Sequence, residues 1–255
     1  MPASLEQNLR RTRQSVASYA DAAGRGCEDV TLLAVTKSVG PETALALARL
    51  GQRDLGENRV PGLIEKHERF SREGVEVRWH FIGHIQRNKA RKVVLHSDVI
   101  HSVDSIRLLE TIGRVAAEES RRVEVYLEVK LSSEEEKHGL APADLPAAVR
   151  ASATEGGERT HVDLVGLMTM AARPRSTEDR EAAASATFEE LAGIARELEA
   201  NAELARAFRG GRVRLSMGMS GDYGAAIAAG SNVVRIGSAL FEDIRTDQPT
   251  PGDRP

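Results

Sequence analysis

The sequence predicts a single α/β domain, a (β/α)8 TIM barrel with an extra helix before its first strand. Three observations carry this. Eight short apolar, β-branched runs alternate with amphipathic, alanine-rich stretches. Over the first five runs the strand starts recur every 22 to 24 residues, the pitch of a βα unit. Such alternation implies a parallel sheet, and eight strands in 255 residues match a closed barrel. A doubly wound sheet is the main rival, but it usually has fewer strands.

From the N-terminus, an extra helix covers roughly Leu5–Ala22. The first strand is Thr31–Lys37. Pro41 then stands at a first-turn position and Gly51 ends the helix Pro41–Leu50. The next strands are Arg53–Gly56, Val77–Gly83 and Val99–Val103. Ser105, after Asp104, starts a helix that runs to Glu119. The fifth strand, Val123–Lys130, precedes a Glu/Lys-rich loop (Ser132–His138) and the helix Leu145–Ser152. The sixth strand, Val162–Met168, leads to a long helix within Glu178–Ala207. The seventh strand is Arg212–Met217, followed by a helix over Asp222–Ala229 that Gly230 stops. The eighth is Val233–Gly237. No linker divides the chain, so one domain is expected over 1–245. The tail Thr246–Pro255, rich in Pro, Asp and Gly, is expected to be disordered.

Bulk properties exclude some functions. Net charge is −3, and the charged residues, 29% of the chain, are mixed in sign. Neither feature suggests bulk attraction to nucleic acid or to a membrane surface. Cys27 is the only cysteine, so no intramolecular disulfide forms, which fits a reducing compartment. The N-terminus has no basic region followed by an apolar stretch, and no window of about 18 apolar residues exists. A cytoplasmic protein is expected.

Chemistry concentrates at strand ends. Lys37 closes the run Leu32-Leu33-Ala34-Val35-Thr36-Lys37. At the end of a buried strand an amine is desolvated, which frees its lone pair for an aldehyde. Alternation puts Lys37 on the face of Leu33 and Val35. The alternative is a lysine that simply begins a solvated loop. Ser216-Met217-Gly218-Met219-Ser220 follows the seventh strand, and Gly237-Ser238 ends the eighth. Glycines there turn backbone amides toward an anion and serines complete the cradle, at the usual phosphate site of this barrel. A glycine-rich turn without a ligand is the rival. Arg235, between Val234 and Ile236, must be paired or ligated, and an internal salt bridge competes with a ligand. Asn58, after Gly56-Glu57, either caps the next helix or reaches a ligand oxygen. His80 and His84 lack a third ligand at zinc-like spacing, and no metal is expected. The cluster Arg87, Lys89, Arg91 and Lys92 reads as a solvated helix face. Met168, Met170, Met217 and Met219 read as packing. A lysine for an aldehyde, a phosphate cradle and an arginine between them suggest pyridoxal 5′-phosphate (PLP).

The chain resembles the YggS/PROSC-type pyridoxal phosphate homeostasis proteins. The resemblance rests on Leu33-Ala34-Val35-Thr36-Lys37, Gly56-Glu57-Asn58, the stretch from His80-Phe81-Ile82-Gly83-His84 to Lys89, Gly166-Leu167-Met168-Thr169-Met170, Ser216-Met217-Gly218-Met219-Ser220, and Gly230-Ser231 through Gly237. These lie in family order over roughly residues 5–242. The resemblance implies a barrel similar to the alanine racemase N-terminal domain (fold type III), with PLP held as a Schiff base on Lys37. It implies a phosphate site at Ser216, Met217, Gly218, Ser220 and the Gly237-Ser238 amides, Arg235 facing the pyridine nitrogen, and Asn58 lining the cofactor. Departures from the family pattern are Arg59, Pro61, Gly224, Asn232 and Glu242.

A charged arginine disfavours a proton on the pyridine nitrogen, so carbanion stabilisation should be weak. The leading expectation is a PLP carrier or regulator in vitamin B6 homeostasis. It would release the cofactor by transaldimination to free amino acids, amines or apo-PLP enzymes. A low-rate monomeric amino-acid racemase is the alternative, and a lysine Schiff-base aldolase acting on a phosphorylated sugar is a third reading. A monomer is expected.

Overall fold

The structure is a computed structural model that describes residues 3–131, 138–152, 161–171 and 177–244. The expected tail and most of the Glu/Lys-rich loop lie outside the described residues. Helix α1 (Ala3–Ala22) leads into β1 (Thr31–Val35), α2 (Pro41–Arg49), β2 (Asp54–Glu57), α3 (Val60–Glu73), β3 (Arg78–Phe81), α4 (Ala90–His96) and β4 (Val99–Val103). Then follow α5 (Ile106–Glu118), β5 (Val123–Glu128), α6 (Leu145–Ser152), β6 (Val162–Met168), α7 (Thr177–Ala200), α8 (Ala202–Ala205), β7 (Arg214–Met219), α9 (Tyr223–Ala228) and β8 (Val233–Ile236). The strands are parallel and closed in sequence order, with β8 returning to pair with β1 through Leu33↔Arg235 and Ala34↔Ile236.

Alternation sorts the strand residues into two layers. Ala34, Leu55, Ile100, Val125, Leu127, Val234 and Ile236 face the helices and join the main core. Leu33, Val99, Tyr126, Val165, Met168 and Val233 form a separate apolar cluster inside the barrel. Among the described residues no helix is long and apolar enough to cross a membrane.

Several boundaries differ from the sequence reading, β3 and β5 each ending two residues early, and three more bear on the site or the helix layer. Strand β1 ends at Val35, two residues before Lys37. Strand β7 runs over Arg214–Met219 instead of Arg212–Met217. The long helix breaks at Asn201, whose Oδ1 accepts from the amides of Glu203 and Leu204 and starts α8. The side chain satisfies two amides that no helical carbonyl reaches.

Candidate cofactor site

The expected site residues come from β7, β8, β1 and β2, which are consecutive neighbours around the barrel. Their C-terminal ends share one half of the mouth. Lys37 is exposed, on the turn after β1. The buried strand end expected from the sequence is therefore corrected: the residue buried there is Thr36, at 0% exposure. Its amide donates to Gly56 O (2.9 Å) and its hydroxyl to Glu57 Oε1 (2.6 Å). Lys66 Nζ, from α3, donates to Glu57 Oε1 at 2.7 Å and to Thr36 O at 3.2 Å. A buried ion pair thus grips the residue before Lys37. Sequence reasoning missed it, although an i,i+9 Glu–Lys spacing across a strand–helix turn is visible in the chain.

Asn58 follows β2 and is half-buried, but it does not cap α3. That helix begins at Val60 with Arg59 as N-cap and no side-chain cap. Asn58 instead lines a groove of about 670 Å³ with Arg59, Pro61, Ile64, His84 and Lys89.

Ser216 is not in the loop. It is fully buried inside β7, and its oxygen is engaged by His101 Nδ1 (2.8 Å) and Arg235 Nη1 (2.9 Å). The side chain of Met217 packs into the core, leaving only its backbone. At the end of β7, Ser216 pairs with Val233 but Met219 with Arg235, so three residues step against two. This bulge carries Gly218 at φ +94°, where a Cβ would stand 2.5 Å from Ala226 Cβ. Only glycine fits both the backbone and the space. Ser220 Oγ accepts from Gly237 N (3.3 Å), joining the two loop segments expected to cradle a phosphate. Gly237 is half-buried and Ser238 exposed.

Arg235 is 4% exposed and has no ion pair among the described residues. Its three hydrogen bonds go to neutral acceptors: Ser216 O (2.7 Å), Ser216 Oγ (2.9 Å) and Thr169 O (2.9 Å). The salt bridge that competed with a ligand is not what the structure contains. Burial lowers the guanidinium to about 10, opposed by Asp222 and Glu128. Two of its five N–H donors remain for a ligand among the described contacts.

Glu128 was not anticipated. It ends β5 on the inward face shared with Tyr126, is 6% exposed, and makes no side-chain hydrogen bond among the described residues. Burial raises its carboxyl to about 7, with Asp104 adding and Arg235 opposing. The alternation Glu124-Tyr126-Glu128 against Val123-Val125-Leu127 was the available signal.

His84, Asp104 and His138 place ligand-type atoms within 4.8 Å of one another. Two groups thus join His84, Asp104 and His138, while His80 bonds His101 and Asp54 elsewhere. The His84 and His138 rings stack 3.9 Å apart at 16°, and Asp104 Oδ2 holds His84 Nδ1 at 3.1 Å. A shared metal would lie in the plane of both rings, so this is a hydrogen-bonded stack. Arg91, in the basic cluster, pairs with Glu118 and Glu119 on α5. A larger cleft of about 1250 Å³ at the barrel floor is lined by Arg78, Glu124, Arg122 and Asp163, which pair among themselves.

The family model for the N-terminal domain of alanine racemase matches residues 3–244. A protein of Escherichia coli K12 called pyridoxal phosphate homeostasis protein is 36% identical over 245 residues, which cover 93% of this chain and 95% of that one. The chain belongs to the pyridoxal phosphate homeostasis protein family. A member from Pseudomonas aeruginosa is 35% identical over 237 residues. PipY of Synechococcus elongatus, solved with PLP bound, is 33% identical, with 93% of this chain and 99% of PipY covered and a TM-score of 0.77. Alanine racemase of Clostridium difficile shares the fold at 16% identity and a TM-score of 0.65, and this chain covers 59% of it.

Family membership makes three departures from its pattern intelligible. Gly224 leaves room for the Tyr19 ring, which would stand 2.7 Å from a Cβ there. Glu242 pairs with Arg11 at 2.6 Å, tying the barrel's end to α1. Asn232 Oδ1 accepts from Leu215 N at 2.8 Å.

Proposed function

We propose that this chain binds pyridoxal 5′-phosphate and serves intracellular vitamin B6 homeostasis by holding and releasing it. The observation that carries the reading is Arg235: a buried guanidinium with no carboxylate partner among the described residues, whose remaining donors lie at the mouth end of β8. Such a charge calls for a ligand atom that accepts. The residues fit the cofactor at each end. The Gly218 bulge and the Gly237-Ser238 segment offer backbone amides and hydroxyls to a phosphate. Lys37 offers an amine on a turn held from beneath.

When bound, PLP supplies an aldehyde and an electron-poor ring. Lys37 contributes the nitrogen that joins the aldehyde. Being exposed, it leaves that position accessible to competing amines, which supports exchange with free amino acids or acceptor enzymes. Arg235 would donate to the ring nitrogen and disfavour its protonation, which suits holding over α-carbon chemistry. Asn58 lines the rim. The chain is proposed to act as a cytoplasmic monomer.

The test is the visible spectrum of the purified chain and of Lys37→Ala, each titrated with PLP. A band near the imine region in the wild type, absent from the variant, is expected. No band in the wild type would overturn the reading and favour an aldolase. Loss of an amino acid's α-deuterium would favour the racemase.

A further inference from the structure

Beneath Arg235 a line of polar side chains crosses the barrel. Arg235 Nη1 lies 2.9 Å from Ser216 Oγ, and Ser216 Oγ 2.8 Å from His101 Nδ1. His101 Nε2 lies 2.9 Å from His80 Nδ1, and His80 Nε2 3.0 Å from Asp54 Oδ1. The members come from β8, β7, β4, β3 and β2. Ser216, His101, His80 and Arg235 are buried, while the Asp54 side chain is 25% exposed at the floor. Tyr126 stacks on His101 at 4.5 Å and 9°, holding that ring flat.

With both rings neutral, the carboxylate end fixes the direction of every bond between the two ends. A guanidinium only donates and a carboxylate only accepts. Asp54 must therefore receive a hydrogen from His80 Nε2. His80 Nδ1 then accepts from His101 Nε2, and His101 Nδ1 accepts the Ser216 hydroxyl hydrogen. Ser216 Oγ is left with its lone pair toward Arg235. The opposite sense would set His80 Nε2 as an acceptor against a carboxylate oxygen. A second proton on either ring is opposed mainly by burial, which at His80 outweighs the pull of Asp54; at His101 the neighbouring His80, Arg235, Arg78 and Arg214 add to it. Both histidines are therefore neutral Nε2–H tautomers.

We propose that Asp54 is a remote positioning residue for Arg235: its carboxylate sets the sense of the Asp54–His80–His101–Ser216 wire and so orients the serine oxygen that holds the guanidinium. A hydroxyl that donates becomes a stronger acceptor, so the bond to Arg235 is strengthened by the chain behind it. The functional consequence rests on the reading of Arg235 as the ring-nitrogen contact; the wire itself does not.

The experiment uses the full chain without cofactor, labelled with ¹⁵N-histidine and ¹⁵N-arginine, at neutral pH. Long-range ¹H–¹⁵N correlations should show His80 and His101 both as Nε2–H. A wild-type His101 in the Nδ1–H or doubly protonated form overturns the proposal without any variant. In Asp54→Asn the amide can donate and permit the reverse sense. His101 and Arg235, neither of which bonds residue 54, should then change their ring and guanidinium signals, with Asp54→Glu restoring them. A change confined to His80 would make Asp54 a local structural residue and overturn the proposal. PLP titration of the same samples separates the two readings. Transmitted shifts in a wild type that binds no PLP would support the wire and sink the cofactor reading; PLP binding with shifts confined to His80 would do the reverse.

Discussion

Glu57 and Glu128 are both buried glutamates at the C-terminal ends of strands, and they are treated oppositely. Glu57 shares its face with Leu55 and points outward, into the layer beneath α3. There Thr36 and Lys66 bind its Oε1 at 2.6 and 2.7 Å. Glu128 shares its face with Tyr126 and points into the mouth, where no described side chain binds it. The strand–helix layer excludes water, so a charge there needs its partner built in. The mouth is where a ligand arrives, so a group there can stand without one. Side-chain parity along the strand decides between the two.

Removing a partner at Glu57 should have the largest effect. Lys66→Ala leaves a carboxylate buried beside the turn that carries Lys37, at a cost of about 3–5 kcal/mol by urea denaturation. Glu57→Gln with Lys66→Met should cost less than the sum of the single changes. A loss below about 1 kcal/mol in Lys66→Ala would mean that the pair is not structural.

Glu128→Gln should do the reverse, and only at high pH. Burial raises the folded carboxyl from 4.5 to about 7, so the folded state holds more protons than the unfolded chain between those values. Stability must then fall as pH rises through that window, by about 3 kcal/mol in all. The variant should be more stable than wild type at pH 8 by roughly that amount, and equal to it near pH 4. Equal stability at pH 8 would show that Glu128 finds a partner in solution.

Gly218→Ala introduces no charge and so isolates the backbone at the mouth. With φ at +94° and a Cβ 2.5 Å from Ala226 Cβ, it should cost about 1–3 kcal/mol and weaken PLP binding. Thermal melts and PLP titration report the two effects separately. Ser220→Ala removes only the long acceptor of Gly237 N, at 3.3 Å. Stability should stay within about 0.5 kcal/mol, while PLP affinity falls about 3- to 10-fold. Unchanged affinity would take Ser220 out of the phosphate site.

Much of this was legible in the chain. The spacing of strand starts predicted the barrel, and the run ending at Thr36-Lys37 and the glycines after β7 marked the mouth. The errors were local. The apolar run continues to Thr36 and so suggests a buried strand through Lys37, yet the chain turns there, closed by Val39 N donating to Thr36 O. The glycine-rich pattern suggested a loop from Ser216 onward, although the strand expected over Arg212–Met217 already contained it; the bulge carries β7 on to Met219. The wire was invisible for a different reason. Its links join residues 26, 21, 115 and 19 positions apart, and no local pattern pairs them.

By itself the sequence determined the barrel, the family and the strand ends that carry the candidate site. Period, parity and glycine placement are local properties that every strand repeats. Only the tertiary structure decided which polar groups are satisfied. Pairing β8 with β7, next to β6, set Arg235 against Ser216 and Thr169 in place of a carboxylate. Contacts across the barrel left Glu128 open and aligned two histidines between a cation and an anion, and the packing of α3 on β2 gave Glu57 its lysine. These outcomes depend on register and on ångström-scale contacts across strands, which exist only once the sheet has closed.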